Sequence, residues 1–224
     1  MIRRILTVGD SFTYGEELSD RNNSWPIQLG NRIGANVINM GLKGGGNKQM
    51  IRKVLDVMCG NTPERDPFDL VVIGWTSPGR MEFADDCGVF DIWPGYAGNM
   101  FRKEGQEWRL ELLEYINKYH SSEHIYQQYL FDVALMQNFL KQQNMKFIML
   151  STCLNEYYHH THHYKMKQRV DLIDPKYYLG WPTEGMAEWT QGCKRGPNGH
   201  FLDEGHQRVS DKLYECIGNF GWLS

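Results

Sequence analysis

Four short apolar runs punctuate the chain, and helical periodicity fills much of the space between them. Ile5-Leu6-Thr7-Val8 is closed by Gly9, and Asn36-Val37-Ile38-Asn39-Met40 ends at Gly41. Asp69-Leu70-Val71-Val72-Ile73-Gly74 is the clearest strand pattern, and Lys146-Phe147-Ile148-Met149-Leu150 is the fourth. Short apolar runs that do not alternate suit parallel strands buried on both faces. Ser24-Trp25-Pro26 supplies a cap-like serine and an early proline for a helix reaching about Ile33. Asn47 is placed to cap a helix over Met50, Ile51, Val54, Leu55 and Met58. The longest helical pattern runs from about Ser122 to Gln143, and the last begins near Asp203 and passes Leu213 and Ile217. Alternating strands and helices predict βαβ units and an α/β fold, a parallel sheet with helices on both faces. Two stretches, 78 to about 105 and 153 to about 195, are rich in Gly, Pro and aromatics and show no clean period. They are expected to be insertions in a single domain over residues 1–224, on the edge of the sheet that shapes substrate access.

Composition narrows the function classes. The chain has 224 residues, 41% of them hydrophobic and 13% aromatic, with a formal net charge of −3. That charge offers no footprint for a phosphate backbone, so no nucleic-acid partner is expected. The five cysteines are scattered and form no CxxC pair, which predicts reduced thiols rather than a disulfide framework. The apolar stretch near Met1 is too short for a signal peptide, and no stretch approaches a membrane span. A soluble, cytoplasmic protein with no membrane partner is the expectation.

Ligands of open parallel sheets bind beyond the carboxyl ends of the strands. Gly9-Asp10-Ser11, Gly41 to Asn47 and Gly74-Trp75-Thr76 all fall there. A serine that ends a strand and opens a helix exposes its hydroxyl next to backbone N–H groups able to hold an oxyanion.

Gly9-Asp10-Ser11-Phe12-Thr13-Tyr14-Gly15 resembles the first block of the SGNH (GDSL-type) hydrolases, whose serine is the nucleophile. Asn39-Met40-Gly41-Leu42-Lys43-Gly44 is similar to that family's N-x-G-x-x-G, whose last glycine lends an oxyanion N–H. His200-Phe201-Leu202-Asp203-Glu204-Gly205-His206 resembles its H-P-x-x-x-G-[YH] block, with Ser210 in the small-residue slot that follows. The resemblance implies a three-layer α/β/α sandwich of flavodoxin-like type and an esterase using a Ser-His acyl-enzyme mechanism, with no metal or organic cofactor. It assigns Ser11 as nucleophile, His200 as base, and the N–H groups of Ser11 and Gly44 as oxyanion donors. A literal D-x-x-H search selects Asp203 and His206 instead; the glycine register and the loop position favour His200 over that pair. Trp75-Thr76-Ser77-Pro78-Gly79-Arg80-Met81-Glu82-Phe83, with the glycine loop and the Arg195 to His206 ending, is similar to a branch often found in bacteriophage genomes. A phage-encoded protein of this branch could be virion-associated.

Two positions depart from the family pattern. Pro197 stands where the orienting Asp is expected, so the acid is sought in the 171 to 188 region or replaced by a backbone carbonyl. The third block lacks its Asn, so a hydroxyl of Thr76 or Ser77, or the amide of Asn47, is the expected substitute. The implied substrate is a small-molecule or carbohydrate ester, an O-acetyl group being the first guess. The rival readings are a non-catalytic module binding a glycan or a protein, and an acyltransferase using the same serine.

Other features read more plainly. Gly44 to Gly46 precede no Walker-type Lys-Ser/Thr, which disfavours nucleotide binding. His159, His160, His162 and His163 lack the H-E-x-x-H arrangement and read as a solvated or substrate-lining segment, not a metal site. Arg80 and Glu82 either bind a polar group or pair with each other. Trp75, Trp93, Trp181 and Trp189 read as packing before sugar platforms.

Overall fold

The computed structural model describes residues 1–61, 67–86, 88–92, 108–119, 121–153 and 169–223. In chain order the elements are β1 (Arg4–Gly9), α1 (Ser11–Tyr14), a 3-10 turn (Arg21–Asn23), α2 (Trp25–Ile33), β2 (Asn36–Gly41), α3 (Asn47–Met58) and β3 (Leu70–Trp75). They continue with β4 (Met81–Asp85), β5 (Gly88–Ile92), α4 (Trp108–Tyr119), α5 (Ser122–Gln142), β6 (Lys146–Ser151), α6 (Met186–Trp189) and α7 (Asp203–Asn219).

The main sheet has the order β2-β1-β3-β6, with every neighbouring pair parallel. Its strands are the four apolar runs of the sequence. Because successive strand residues point to opposite faces, each strand feeds two cores. Leu6, Val8, Val71, Ile73, Phe147 and Met149 pack with α3 and α5 on one face. Ile5, Leu70, Val72, Ile148 and Leu150 pack with Trp25 and Leu29 of α2 and Val209, Leu213 and Ile217 of α7 on the other. Burying a side chain of this kind stabilises the fold by about 1.5–3 kcal/mol, so double-sided burial explains the unbroken apolar runs. The result is the three-layer α/β/α arrangement. The chain leaves β1 to one side for β2, then recrosses to β3, which puts a topological switch point at the carboxyl ends of β1 and β3.

Three local expectations need correction. Ser24 sits at the N-cap of α2 without a side-chain bond; the Trp25 N–H is taken instead by His206 Nδ1 at 3.1 Å. Asn47 does not cap α3, because Gly46 is the N-cap and Asn47 is its first helical residue. The stretch after residue 78 is not without period. Met81 and Phe83 on β4 and Phe90 and Ile92 on β5 alternate, and they pack against Leu113 and Ile116 of α4.

The β4–β5 hairpin is tied to α3 by Asp91. Its Oδ2 accepts from Gly46 N at 3.0 Å and from Gln49 Nε2 at 2.6 Å. Burial pushes the Asp91 carboxyl up to about 6, although the Gly46 hydrogen bond favours its charge. Trp75 is wholly buried, and Trp181 packs on Tyr178 at a centroid distance of 4.8 Å. The Trp189 indole donates to Glu184 Oε2. Trp93 and the four histidines from 159 to 163 lie outside the described residues. No helix among the described residues is long and apolar enough to cross a membrane.

Candidate active site

Ser11 is held in the turn that follows β1. Asp10 caps α1, accepting the Phe12 N–H at 3.0 Å, and this sets Ser11 as the first helical residue. The first N–H groups of a helix have no intrahelical partner, so the Ser11 N–H is presented at the sheet edge. Close packing explains the flanking glycines. A Cβ on Gly41 would fall on the backbone of α1, 2.7 Å from Thr13 C. One on Gly9 would fall on the Thr13 side chain.

Ser11 Oγ lies 2.8 Å from His200 Nε2. His200 comes from the loop before α7 and packs its ring against Phe12 at 4.8 Å. On its other side, His200 Nδ1 lies 2.9 Å from Glu17 Oε2. The acid partner of His200 is therefore Glu17. It does not come from the 171 to 188 region, and no backbone carbonyl takes its place. Desolvation works against a charge on Glu17. Hydrogen bonds from Asn198 N, the His200 side chain and His200 N, with the attraction of His200, outweigh it and hold the carboxyl below its ordinary value. An ionised carboxylate only accepts, so Nδ1 carries the proton and Nε2 is left to accept from Ser11.

Two loops bring Glu17 there. After α1, Gly15 takes a left-handed conformation (φ +82°) and Glu17 another (φ +66°), which turns the chain back towards His200. A left-handed non-glycine residue costs roughly 1–2 kcal/mol, and such strain is found where a site constrains the backbone. The partner loop is Arg195-Gly196-Pro197-Asn198-Gly199-His200. Gly196 N donates to His200 O, and the loop closes with Gly199 at φ +87°. Its Asn198 N–H donates to Glu17 Oε1 at 2.8 Å and its His200 N–H to Oε2 at 3.2 Å. A Cβ on Gly196 would come within 2.6 Å of Glu17 Cδ, so only glycine admits the carboxylate. Pro197, which breaks the expected Asp position, belongs to the loop that receives the substitute.

The D-x-x-H pair has a different role. Asp203 accepts from Asn23 Nδ2 at 2.7 Å, and His206 is fully buried with Nδ1 on the Trp25 N–H. Burial pushes the His206 imidazole down to about 3, so it stays neutral and fastens α7 to α2. It is not a base facing Ser11.

The oxyanion side also differs from expectation. The Thr76 hydroxyl donates to Asp10 Oδ2 at 2.7 Å, beside the Thr152 hydroxyl at 2.8 Å. The Asn47 amide is spent on backbone: Oδ1 accepts from Thr76 N at 2.9 Å, while Nδ2 donates to Thr76 O and Ser77 O. Neither side chain is turned to an oxyanion; both brace the turn after β3. Ser77 Oγ meets Gly79 N at 3.4 Å. Gly44 adopts φ +69° in the loop after β2, where a side chain would be strained. Arg80 and Glu82 do not pair: Glu82 meets Arg52, whereas Arg80 Nη1 donates to Gly45 O at 3.0 Å and stands 3.9 Å from Asp10 Oδ2.

The chain matches, over residues 13–174, a family of unknown function, DUF6071. No curated protein matches it in sequence. Among solved structures it is similar to a carbohydrate esterase family 2 enzyme with its carbohydrate binding domain from Corynascus thermopiles (Myceliophthora fergusii). That match has 16% identity and a TM-score of 0.56, over 98% of this chain and 67% of that one. It is similar to TesA, at 14% identity and a TM-score of 0.55, over 97% and 99% of the two chains. A third is a member of the lipolytic protein G-D-S-L family from Veillonella parvula, at 14% identity and a TM-score of 0.51, over 95% and 97%. At these identities the likeness is one of fold.

Proposed function

We propose that this chain, which belongs to the family of unknown function DUF6071, is a serine esterase that hydrolyses a small acyl ester through a Ser11-His200-Glu17 triad. The observation that carries the reading is the unbroken hydrogen-bond chain from Ser11 Oγ through both imidazole nitrogens to Glu17.

Nε2 accepts the Ser11 proton as Oγ attacks the ester carbonyl carbon. The carbonyl electron pair moves to oxygen, where the N–H groups of Ser11 and Gly44 receive the charge. The resulting imidazolium is stabilised by Glu17, which keeps its own negative charge. Collapse breaks the bond to the alcohol, which leaves with the proton from Nε2. Water then repeats the sequence on the acyl-enzyme, returning the acid and free Ser11. This reading takes residues 1–224 as one catalytic domain with no cofactor, and an O-acetyl group on a carbohydrate is its first substrate to try. A carbohydrate esterase among the structures of similar fold supports that choice. The non-catalytic reading rested partly on a missing acid, and Glu17 removes that ground.

The test is hydrolysis of p-nitrophenyl acetate by the parent and by Ser11→Ala, with labelling of Ser11 by a fluorophosphonate followed by mass spectrometry. Loss of turnover and of label in the variant is expected. Equal rates in the two proteins would refute the esterase reading. An alcohol that outcompetes water for the acyl group would redefine the protein as an acyltransferase.

A further inference from the structure

Two backbone N–H groups are a sparse oxyanion hole, and the side chains expected to complete it are committed elsewhere. The Thr76 hydroxyl is bound to Asp10, and the Asn47 amide to the backbone of Thr76 and Ser77. The cation nearest these elements among the contacts described above is Arg80, which ends the turn between β3 and β4. Its Nη1 donates to Gly45 O at 3.0 Å, fixing the Gly45–Gly46 peptide in the loop that carries Gly44. The same atom stands 3.9 Å from Asp10 Oδ2, on the residue preceding Ser11. A Cβ on Gly46 would lie 3.5 Å from Arg80 Cβ, so the side chain runs along the glycine loop. Arg80 is 13% exposed, and Asp10 is wholly buried. A guanidinium remains protonated at any working pH, and a fixed charge with little water around it acts more strongly than one in solvent.

We propose that Arg80 is a positioning residue of the oxyanion hole. It clamps the Gly44 to Gly46 loop through Gly45 O and sets a permanent positive charge between that loop and the Ser11 turn. The inference rests on the esterase reading and deepens it. As the carbonyl electron pair moves to oxygen, Gly44 N–H is already aimed and Arg80 offsets the new negative charge, with no proton changing place on the arginine. The contact with Asp10 has a second consequence: it balances the buried carboxylate that caps α1, so one side chain steadies both halves of the hole.

The test uses the full chain with Arg80→Met, Arg80→Gln and Arg80→Lys. A fluorophosphonate counts competent Ser11 sites, and kcat for p-nitrophenyl acetate is expressed per counted site. Removing one oxyanion contact costs on the order of 10²–10³ in kcat. A loss of about that size is expected in Arg80→Met and Arg80→Gln, with KM within about threefold and a matching slowing of the labelling rate. Arg80→Lys, which keeps the charge, is expected to recover at least about tenfold of the loss. An arginine that only supports folding would lower the number of counted sites and leave kcat per site near the parent value. That result in either folded neutral variant, or Arg80→Lys no better than Arg80→Gln, overturns the proposal. If Arg80→Met does not fold, Arg80→Gln decides. A parent whose Ser11 takes no label and turns over no ester refutes the esterase reading itself, separately from the arginine.

Discussion

Glu17 and Ser11 sit near each other in sequence, yet they address opposite nitrogens of one imidazole. Ser11 Oγ lies 2.8 Å from His200 Nε2, and Glu17 Oε2 lies 2.9 Å from Nδ1. Ser11 opens α1 and Glu17 follows in the next loop, so both lie near the start of the chain and only the histidine arrives from its far end. If Glu17 orients His200, Glu17→Gln should lower kcat by about 10³–10⁴ with little change in KM, because the amide can favour the wrong tautomer. Steady-state ester hydrolysis checks this. A loss smaller than tenfold would mean that another group orients the ring.

His206 makes a prediction about stability. Its folded-state value is about 3, against an ordinary 6.5, so the unfolded chain takes up the proton first as pH falls. The contribution of His206 is fully present above pH 6.5 and is lost as pH falls from there towards 3, by up to about 1.4 kcal/mol per pH unit. In urea melts, His206→Gln should be less stable than the parent at pH 7.5 and should show a flatter decline towards pH 4.5. Turnover per folded molecule should stay near the parent value. Abolished turnover in a folded His206 variant would show that the base had been misassigned.

Asp91 works in the opposite direction. Burial raises its carboxyl to about 6 from 3.8, so the native chain holds the proton where the unfolded chain has released it. That contribution is present below pH 3.8 and is lost as pH rises to about 6. Asp91→Asn keeps an acceptor for Gly46 N and Gln49 but carries no charge to bury. Its melting temperature should gain on the parent between pH 4 and 6 and then hold a constant lead. A lead that does not change with pH would show that the carboxyl titrates normally.

Gly41→Ala tests the packing beneath Ser11. The added methyl would overlap the Thr13 and Tyr14 backbone, which no rotamer change can relieve. Overpacking of this kind costs about 1–3 kcal/mol. Activity should fall as well, because α1 carries Ser11. A variant with unchanged melting temperature and unchanged turnover would mean that α1 has room to shift.

The sequence alone determined the strands of the sheet and singled out Ser11 and His200, which the fold brings together. Ile5 to Val8, Val37 to Met40, Leu70 to Ile73 and Phe147 to Leu150 are strands because each must feed two cores, and that demand is written locally as an apolar run. Ser11 and His200 stood out because each lies at a fixed spacing from a glycine or a helix start; the oxyanion role of Gly44 is part of the proposal. The β4–β5 hairpin was legible in principle through the alternation of Met81, Phe83, Phe90 and Ile92, but the surrounding glycines and aromatics obscured it. Tertiary structure alone decided the rest. Glu16 and Glu17 are indistinguishable as letters; two left-handed turns and the N–H groups of Asn198 and His200, supplied from the opposite end of the chain, select Glu17. Thr76 and Asn47 looked like donors for an oxyanion until folding gave them closer partners in Asp10 and the backbone after β3. A hydrogen-bonding side chain shows its chemistry in sequence, but its partner is whatever polar group the fold buries beside it.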